Sequence, residues 1–292
     1  MSDRRRGEPA LSVFRIVMSQ VTVGLDIGGS TTKIIGFRED ILLDECLVKA
    51  SDPVASAYGG FGAFLKHNSL KLRDISDIRI TGVGASYIEG NLFDLPTTKT
   101  DEFLSVGLGG LYAAKVKEAV VVSMGTGTSF VYANGKSVRH VIGSGVGGGT
   151  LLGLANKILN VHDIDTLTYL AQDGDLSMVD LTVGDISQKI IPGLTGDTTA
   201  SNFGKVRDTA RAEDLARGIV NLVFQSVGTA AVLAARVENT KTIVVTGNLM
   251  RVDSGRAVLD SFSQLYGVDI IIPHNAEYAT AVGAALSRYR TD

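Results

Sequence analysis

Cysteine is almost absent from this chain of 292 residues, which contains only one, Cys46. A single thiol excludes a disulfide framework, a cysteine-based zinc site and an iron–sulfur cluster held within one chain. The histidines His67, His162 and His274 are isolated and show no H-x-x-x-H spacing. These residue types therefore predict no transition-metal site.

The chain also lacks an excess of either charge and a long apolar run. It has 28 Lys and Arg against 31 Asp and Glu, a net charge of −3, whereas a nucleic-acid binder needs a concentrated basic face. The most apolar stretch, residues 219–235, is interrupted by polar residues, and a membrane span needs about 20 mostly apolar ones. Residues 1–19 do not fit a secretory signal and are interpreted as an extension. We therefore predict a cytoplasmic protein with neither nucleic acid nor a membrane as a partner.

Glycine, by contrast, is abundant, with 34 residues against 5 prolines. Many of the glycines fall in four short turns that each follow an apolar strand. The first to fourth glycine turns are D-I-G-G-S-T (26–31), G-T-G-T-S (125–129), G-S-G-V-G-G-G-T (143–150) and T-G-N-L (246–249). Glycine lets a backbone approach a ligand closely, and successive N–H groups in such turns bind anions. Four such turns predict a site for a triphosphate, although any one alone is equally typical of an ordinary tight turn.

The first glycine turn also carries a carboxylate, Asp26, at the end of its strand. Because Mg²⁺ binds carboxylate oxygens together with phosphate oxygens, we predict that Asp26 holds a magnesium ion, directly or through water. The alternative for Asp26 is a residue that only forms the turn. The sequence has no G-x-x-x-x-G-K-[ST] motif, which excludes a P-loop enzyme.

Hydrophobic patterning predicts an α/β fold whose two halves begin alike. Strands are predicted at 21–27, 33–37 and 41–48 in the first half and at 119–124, 129–133 and 137–142 in the second. Further strands are predicted at 77–83, 242–246 and 268–272, and helices at 54–70, 103–117, 151–159, 209–238, 255–266 and 277–288. A chain of this length is expected to form two domains. We place them at residues 20–117 and 118–292, after the extension 1–19.

These motifs together resemble a known family. D-I-G-G-S-T-T-K (26–33) with the later glycine turns resembles the actin, Hsp70 and sugar-kinase superfamily. More narrowly, the chain resembles the type II pantothenate kinases over about residues 21–288. The segments that carry this resemblance are the second and third glycine turns, G-L-T-G-D-T-T-A-S-N-F-G-K (193–205), D-E-F (101–103) and E-Y-A-T-A-V-G-A (277–284).

The resemblance implies a fold, a reaction and an assembly. The fold would be two RNase H-like domains of the actin-like ATPase type, which close on a central cleft between them. The reaction would be the ATP-dependent phosphorylation of pantothenate to 4'-phosphopantothenate, the first step of coenzyme A biosynthesis, with ATP and Mg²⁺ as cofactors. The protein would be a homodimer whose partner is its small-molecule substrate.

Roles of individual residues follow from the matching positions. Glu102 matches the catalytic glutamate that accepts the proton of the attacking hydroxyl, and Thr126 and Ser129 match hydroxylated positions near pantothenate. The residues assigned to ATP and its phosphates are Asp26, Gly28, Gly29, Ser30, Thr31, Lys33, Gly125, Thr126, Gly127, Gly147, Gly148, Gly149 and Gly247. From the residues alone, Glu102 is equally suited to be an acid at a helix N-terminus, where the helix dipole favours it.

One position departs from the family pattern. The family has an arginine directly before the valine that leads into the third glycine turn, and His140 stands there, preceded by Arg139. A neutral histidine cannot replace an always-charged guanidinium, and neighbouring strand residues face opposite ways. Either the alignment slips by one residue or substrate binding differs. We assign Arg139 as the catalytic and substrate-binding cation and keep His140 as a second substrate-binding candidate; both would otherwise be an exposed hairpin pair.

Three other functions remain open. The chain could be an N-acetylhexosamine-type sugar kinase of the same superfamily, although those enzymes often carry a Cys/His zinc cluster. It could be the ATPase activator of an acyl-CoA dehydratase, which needs cysteines to bridge a cluster between subunits. It could also be a nucleotide-binding regulator without turnover, and the missing arginine favours this last alternative.

Overall fold

The computed structural model describes residues 20–49, 52–189 and 191–289. The predicted extension 1–19 lies outside these residues. The strands are β1 Val21–Ile27, β2 Thr31–Arg38, β3 Ile41–Leu42, β4 Cys46–Lys49, β5 Ile75–Thr81, β6 Thr97–Lys99, β7 Glu118–Met124, β8 Thr128–Asn134, β9 Val138–Ser144, β10 Leu181–Thr182, β11 Thr199–Ser201, β12 Thr242–Thr246 and β13 Asp269–Ile271. The helices are α1 Pro53–His67, α2 Glu102–Ala114, α3 Gly148–Leu159, α4 Ile164–Gln172, α5 Val183–Ile186, α6 Ala212–Val237, α7 Asp253–Tyr266 and α8 Ala279–Leu286.

Two sheets with the same strand order form the framework. The first sheet runs β3-β2-β1-β5-β6, with β4 also paired to β2, and the second runs β9-β8-β7-β12-β13. In each sheet the first strand in sequence is antiparallel to the strand that follows it and parallel to a later one on its other side. The predicted α/β class is confirmed, and the similar opening of the two halves reflects a duplicated sheet.

The helices cover both faces of each sheet. On the first sheet, α1 buries Phe61 and Phe64 against one face, and α8 packs on the other. On the second sheet, α2 packs on one face, and α3, α4, α6 and α7 cover the other. Helices α2 and α8, the two inner helices, therefore each pack on the sheet formed by the opposite half of the chain. Because of this exchange, the domain boundary between residues 117 and 118 stays a prediction.

The inner helices α2 and α8 touch through glycine. A Cβ atom on Gly109 would lie 1.7 Å from the carbonyl oxygen of Ala279, and one on Gly283 would lie 1.7 Å from that of Ser105. Such distances leave room only for hydrogen, so the two helix backbones are in direct contact. This contact joins the two sheets and brings the carboxyl ends of β1 and β7 to one cleft, where open α/β sheets bind ligands.

Helix α6 is the central core helix of the second half. In the part of the chain that the structure describes, it is the helix that could cross a membrane by length and composition, but 67% of its apolar window is buried inside the fold. Ile219, Val223 and Phe224 are fully buried against the second sheet. Its apolar sequence is therefore explained by core packing.

Candidate active site

The first and second glycine turns face each other across the cleft. The first turn is closed by a bond from the Gly28 amide to the Thr31 carbonyl (3.0 Å). A Cβ atom on Gly29 would lie 3.9 Å from the Thr126 Oγ1 atom of the second turn. Residues from the two halves of the chain thus lie side by side at this point.

Several amides in these turns are free to bind an anion. Within the described residues, the backbone N–H groups of Gly29, Ser30, Thr126 and Gly127 form no hydrogen bond. Backbone donors rarely remain unpaired in a folded protein unless water or a ligand takes them. Because donors from both halves of the chain converge here, the turns can hold a phosphate chain between them.

The third and fourth glycine turns support the second. The amides of Gly148 and Gly149 donate to the carbonyls of Gly125 and Thr126, each at 2.8 Å. A Cβ atom on Gly147 would lie 2.8 Å from the Thr126 carbonyl oxygen. The amides of Gly148 and Gly149 are therefore not available to phosphate, and these glycines instead fix the shape of the second turn.

Gly247 explains why the fourth turn needs glycine. Its φ is +99°, and a Cβ atom there would lie 2.5 Å from the Met124 carbonyl oxygen at the end of β7. A side chain would be strained by the backbone conformation and would collide with β7. The fourth turn therefore lies directly beside the second.

An ion pair occupies the floor of the cleft beneath the first turn. Asp26 and Lys33 are register partners on β1 and β2, and Lys33 Nζ lies 3.2 Å from Asp26 Oδ2. Both residues are 8% exposed. The sequence predicted both as phosphate-site residues, and the structure places them together with their charges aimed at one another.

Glu102 stands beside this pair at the start of α2. The helix is capped by Asp101, whose side chain accepts from the Leu104 amide at 2.8 Å. The pKa of Glu102 is raised, first by partial desolvation and then by the charges of Asp26 and Asp101, while Lys33 opposes the shift. Glu102 is exposed to solvent, but the protein atoms around it partly desolvate its carboxylate, as expected for a residue on the wall of a cleft. Within the described residues its carboxylate accepts no hydrogen bond, so it is free to act as a base.

The neighbouring basic residues of β9 face opposite ways. The His140 ring stacks on Phe103 in α2, with ring centroids 4.2 Å apart. Arg139 lies on the other face, paired with Glu238 and 5.4 Å from the centre of the Tyr132 ring. The structure therefore does not bring Arg139 to Glu102; His140 is the residue that reaches the α2 side.

The hairpin between β8 and β9 determines which way the two basic residues face. From the turn at Asn134 the pairing is regular, with Ala133↔Val138, Tyr132↔Arg139 and Val131↔His140, and the bulge at Val141 comes only after His140. Because Val131 packs against α2, its partner His140 lies on that face and Arg139 on the other.

Two serines line the same face as His140. Ser129 on β8 pairs with Ser123 on β7 and with Gly143 on β9. Alternation from Val131, which packs against α2, places Ser129 and Ser123 on the α2 side. Ser129 is one of the residues predicted from the resemblance. Ser123 was not predicted; in the sequence it is the one polar residue within the apolar run A-V-V-V-S-M.

The donors around Asp26 fit a magnesium ion. Within residues 20–49, 52–189 and 191–289, no three His, Cys, Asp or Glu side chains converge on one point. Mg²⁺ commonly uses one or two carboxylates and takes its remaining ligands from water and substrate phosphates. Asp26, with Glu102 close by and the unpaired amides of the first two glycine turns, satisfies that pattern.

The motif A-S-N-F-G-K has a structural role. Asp180 is fully buried, and its carboxylate accepts from Asn221 Nδ2 (2.6 Å), Asn202 Nδ2 (3.2 Å) and the Phe203 amide (2.9 Å). A buried carboxylate is stable only when such donors satisfy it. The motif thus fastens the β10–β11 segment to α6.

A cavity of about 540 Å³ lies away from these residues, at the C-terminal end of α2. Its walls include Leu42, Tyr112, Lys115 and Tyr278, and none of the predicted site residues. Burial raises the pKa of Tyr278 to about 12. The glycine turns therefore border an open cleft, separate from this cavity.

Comparison with known proteins decides the family. The family model described as Fumble matches residues 115–287. The type II pantothenate kinase of Staphylococcus haemolyticus is 32% identical over 273 residues, which are 90% of this chain and 98% of that protein. This chain belongs to the type II pantothenate kinase family. A second member of the family, from Staphylococcus aureus (strain USA300), is 31% identical over 90% of this chain and 97% of its own length. The family predicted from the motifs is confirmed, and the chain is a kinase.

Solved structures show how the pantothenate kinase fold is shared. Component A of the Acidaminococcus fermentans (R)-2-hydroxyglutaryl-CoA dehydratase has a TM-score of 0.65 at 21% identity and covers 92% of this chain and 97% of its own. A glucokinase of the ROK family from Streptomyces griseus, solved with glucose and AMPPNP, has a TM-score of 0.59 at 14% identity and covers 92% and 100%. At such identities the likeness concerns the fold alone. It confirms the predicted two-domain, actin-like ATPase architecture.

Proposed function

We propose that this kinase phosphorylates the primary hydroxyl of pantothenate with ATP and forms 4'-phosphopantothenate, the first step of coenzyme A biosynthesis. The observation that carries this proposal is the meeting of unpaired amides from both halves of the chain beside Glu102 and the Asp26–Lys33 pair. The relatives named type II pantothenate kinase, which match along nearly their whole length, support the choice of substrate.

Phosphoryl transfer depends on positioning and on charge stabilisation more than on covalent chemistry. The amides of Gly29, Ser30, Thr126 and Gly127 hold the phosphate chain, and Lys33 neutralises the charge that develops on it. Glu102, whose pKa is raised by desolvation and by the neighbouring acids, accepts the proton of the attacking hydroxyl. Asp26 would hold Mg²⁺, which would neutralise the phosphate oxygens during transfer.

The acceptor would lie along the α2 side of the second sheet. Ser129, Ser123 and His140 supply polar contacts there, and the Phe103 ring holds His140 in place. This surface runs from Glu102 towards the third glycine turn, since a Cβ atom on Gly143 would lie 3.7 Å from His140 Nε2. A small hydroxyl compound with polar groups along its length fits that arrangement.

The three alternative functions have less support. The likeness to the glucokinase concerns architecture, and the same holds for the dehydratase component. Cys46, the one cysteine, pairs with Ile34 within the first sheet rather than standing in a glycine turn. A regulator without turnover would not need the free Glu102 carboxylate beside the phosphate turns.

A direct assay tests the proposal. Purified protein with ATP, Mg²⁺ and pantothenate is expected to form phosphopantothenate, and glucose and N-acetylhexosamines in parallel reactions are expected to give no phosphorylated product. Mass spectrometry of the products identifies the acceptor. Phosphorylation of a sugar in place of pantothenate would identify the protein as a sugar kinase. Nucleotide binding without any product would favour a regulator.

Variants of β9 test the acceptor surface. His140→Ala is expected to raise the KM for pantothenate about tenfold, the loss of roughly one hydrogen bond, with a smaller change in kcat. Arg139→Ala is the matched control, because Arg139 faces Glu238 on the other side of the sheet. It is expected to lower thermal stability and to leave that KM unchanged. The reverse pattern of KM values would restore the assignment of Arg139.

Location and assembly follow the same proposal. We place the reaction in the cytoplasm, where ATP is available, and we retain the homodimer as a prediction from the family resemblance. Sedimentation of the purified protein measures its oligomeric state.

A further inference from the structure

Thr81 is a buried polar residue that the mechanism above does not use. It ends β5, is 1% exposed, and its register partner on β1 is Asp26. The side-chain atoms among the described residues that are buried and lack any hydrogen-bond partner are Thr81 Oγ1, Glu238 Oε1, Asn248 Oδ1 and Ser254 Oγ. Buried hydroxyls normally find a partner, so an unpaired one needs an explanation.

Thr81 and Asp26 lie on the same face of the first sheet. Ile78 and Ile80 pack towards α1, so alternation turns Thr81 to the opposite face of the sheet, which Asp26 and Lys33 share. The Asp26 carboxylate also leans towards β5, because a Cβ atom on Gly82 would lie 2.7 Å from Asp26 Oδ1. The unpaired Thr81 hydroxyl therefore shares a face of the sheet with the carboxylate of its register partner Asp26, which accepts a hydrogen bond from Lys33 and none from Thr81.

The second sheet offers an internal comparison. Thr246 ends β12, the strand that corresponds to β5, and it too precedes a glycine with positive φ. Its hydroxyl donates to the Val122 carbonyl at 3.3 Å. The fold can thus pair a hydroxyl at this point of the sheet, and at Thr81 it does not.

We propose that Thr81 is a positioning residue for Asp26 in the nucleotide-bound state. When a magnesium triphosphate enters, Lys33 transfers its hydrogen bond from Asp26 to a phosphate oxygen. The Thr81 hydroxyl then donates to the Asp26 carboxylate and orients it towards the ion or its water ligands. Hydrogen bonds of this kind to a metal-binding carboxylate commonly change metal affinity 10–100-fold. The inference rests on the proposed function, since it requires ATP and Mg²⁺ at Asp26.

Binding of a non-hydrolysable ATP analogue, measured by calorimetry with and without Mg²⁺, tests the exchange of partners. Thr81→Val is expected to weaken Mg²⁺-dependent binding about tenfold and to leave binding without Mg²⁺ unchanged. The thermal stability of the ligand-free variant is expected to stay equal or to rise, because an unpaired polar atom has been removed. Thr81→Ser, which retains the hydroxyl, is expected to keep affinity close to that of the unmodified protein.

Thr22→Val is the matched control. Thr22 is also fully buried on the first sheet, but its hydroxyl already donates to Asp77 Oδ2 at 2.9 Å. This variant is expected to lower stability without a change in the Mg²⁺ dependence. Thr81→Val with Mg²⁺-dependent affinity within twofold of the unmodified protein, or with a stability loss like that of Thr22→Val, would overturn the inference. Absence of Mg²⁺-dependent binding in the unmodified protein would instead overturn the proposed function.

Discussion

Replacement of Glu102 by glutamine is expected to reduce kcat for phosphopantothenate formation about 10²–10⁴-fold, the usual contribution of a general base. Glutamine keeps the size of the side chain and cannot accept the proton of the hydroxyl. The affinity for ATP should remain within about twofold, because the amides that hold the phosphates belong to the glycine turns. Steady-state kinetics and nucleotide titration measure the two effects separately. A variant with near-normal kcat would return Glu102 to the role of a helix N-terminal acid.

The pH profile gives an independent check on the same residue. Glu102 acts as a base only when ionised, so kcat/KM should fall as the pH decreases through its pKa. Because that pKa is raised above the ordinary 4.5, the acid limb should lie at a higher pH than for a free glutamate. Asp101→Ser is the useful companion, since serine still caps α2 but lacks the charge that raises this pKa. Its acid limb should move to lower pH.

The largest expected loss of stability is at the contact between α2 and α8. Gly109→Ala places a methyl group 1.7 Å from the Ala279 carbonyl oxygen, so the two helix backbones must separate. We expect the free energy of unfolding to fall by about 3 kcal/mol, the upper range for overpacking. Urea unfolding measures it as a lower midpoint at an unchanged slope.

Gly62→Ala in α1 is the control for that substitution. Gly62 is exposed, and a Cβ atom there would meet nothing within 4 Å. Alanine in a helix interior is favoured over glycine, so this variant should be about 0.5–1 kcal/mol more stable. Equal effects at Gly109 and Gly62 would show that the α2–α8 contact is not tight in solution.

Local patterns predicted most elements because their causes are local. Residues 54–70 were predicted as a helix despite Gly59, Gly60 and Gly62, and α1 forms at Pro53–His67. Asp52 caps it and Pro53 starts it. The contacts that justify Gly60 are distant ones, since a Cβ atom there would lie 2.7 Å from Ile34 Cδ1.

Elements with weak local patterns were divided or missed. The strand predicted at 41–48 is two strands, β3 and β4, separated by residues 43–45. Strand β6, three residues long, was not predicted; it exists because it pairs with β5. Helix α4 was also missed, although Asp163 caps it by accepting from the Thr166 amide.

The sequence by itself determined the two sets of strands that open the halves of the chain, the four glycine turns and the motifs by which the protein family was recognised. Each depends on residue types in adjacent positions, where strand alternation and glycine's freedom act directly. The tertiary structure alone decided that α2 and α8 exchange sheets, that the Gly148 and Gly149 amides serve the second turn, and that His140 rather than Arg139 reaches the α2 side. These features arise from contacts between distant segments, and no local pattern encodes such contacts.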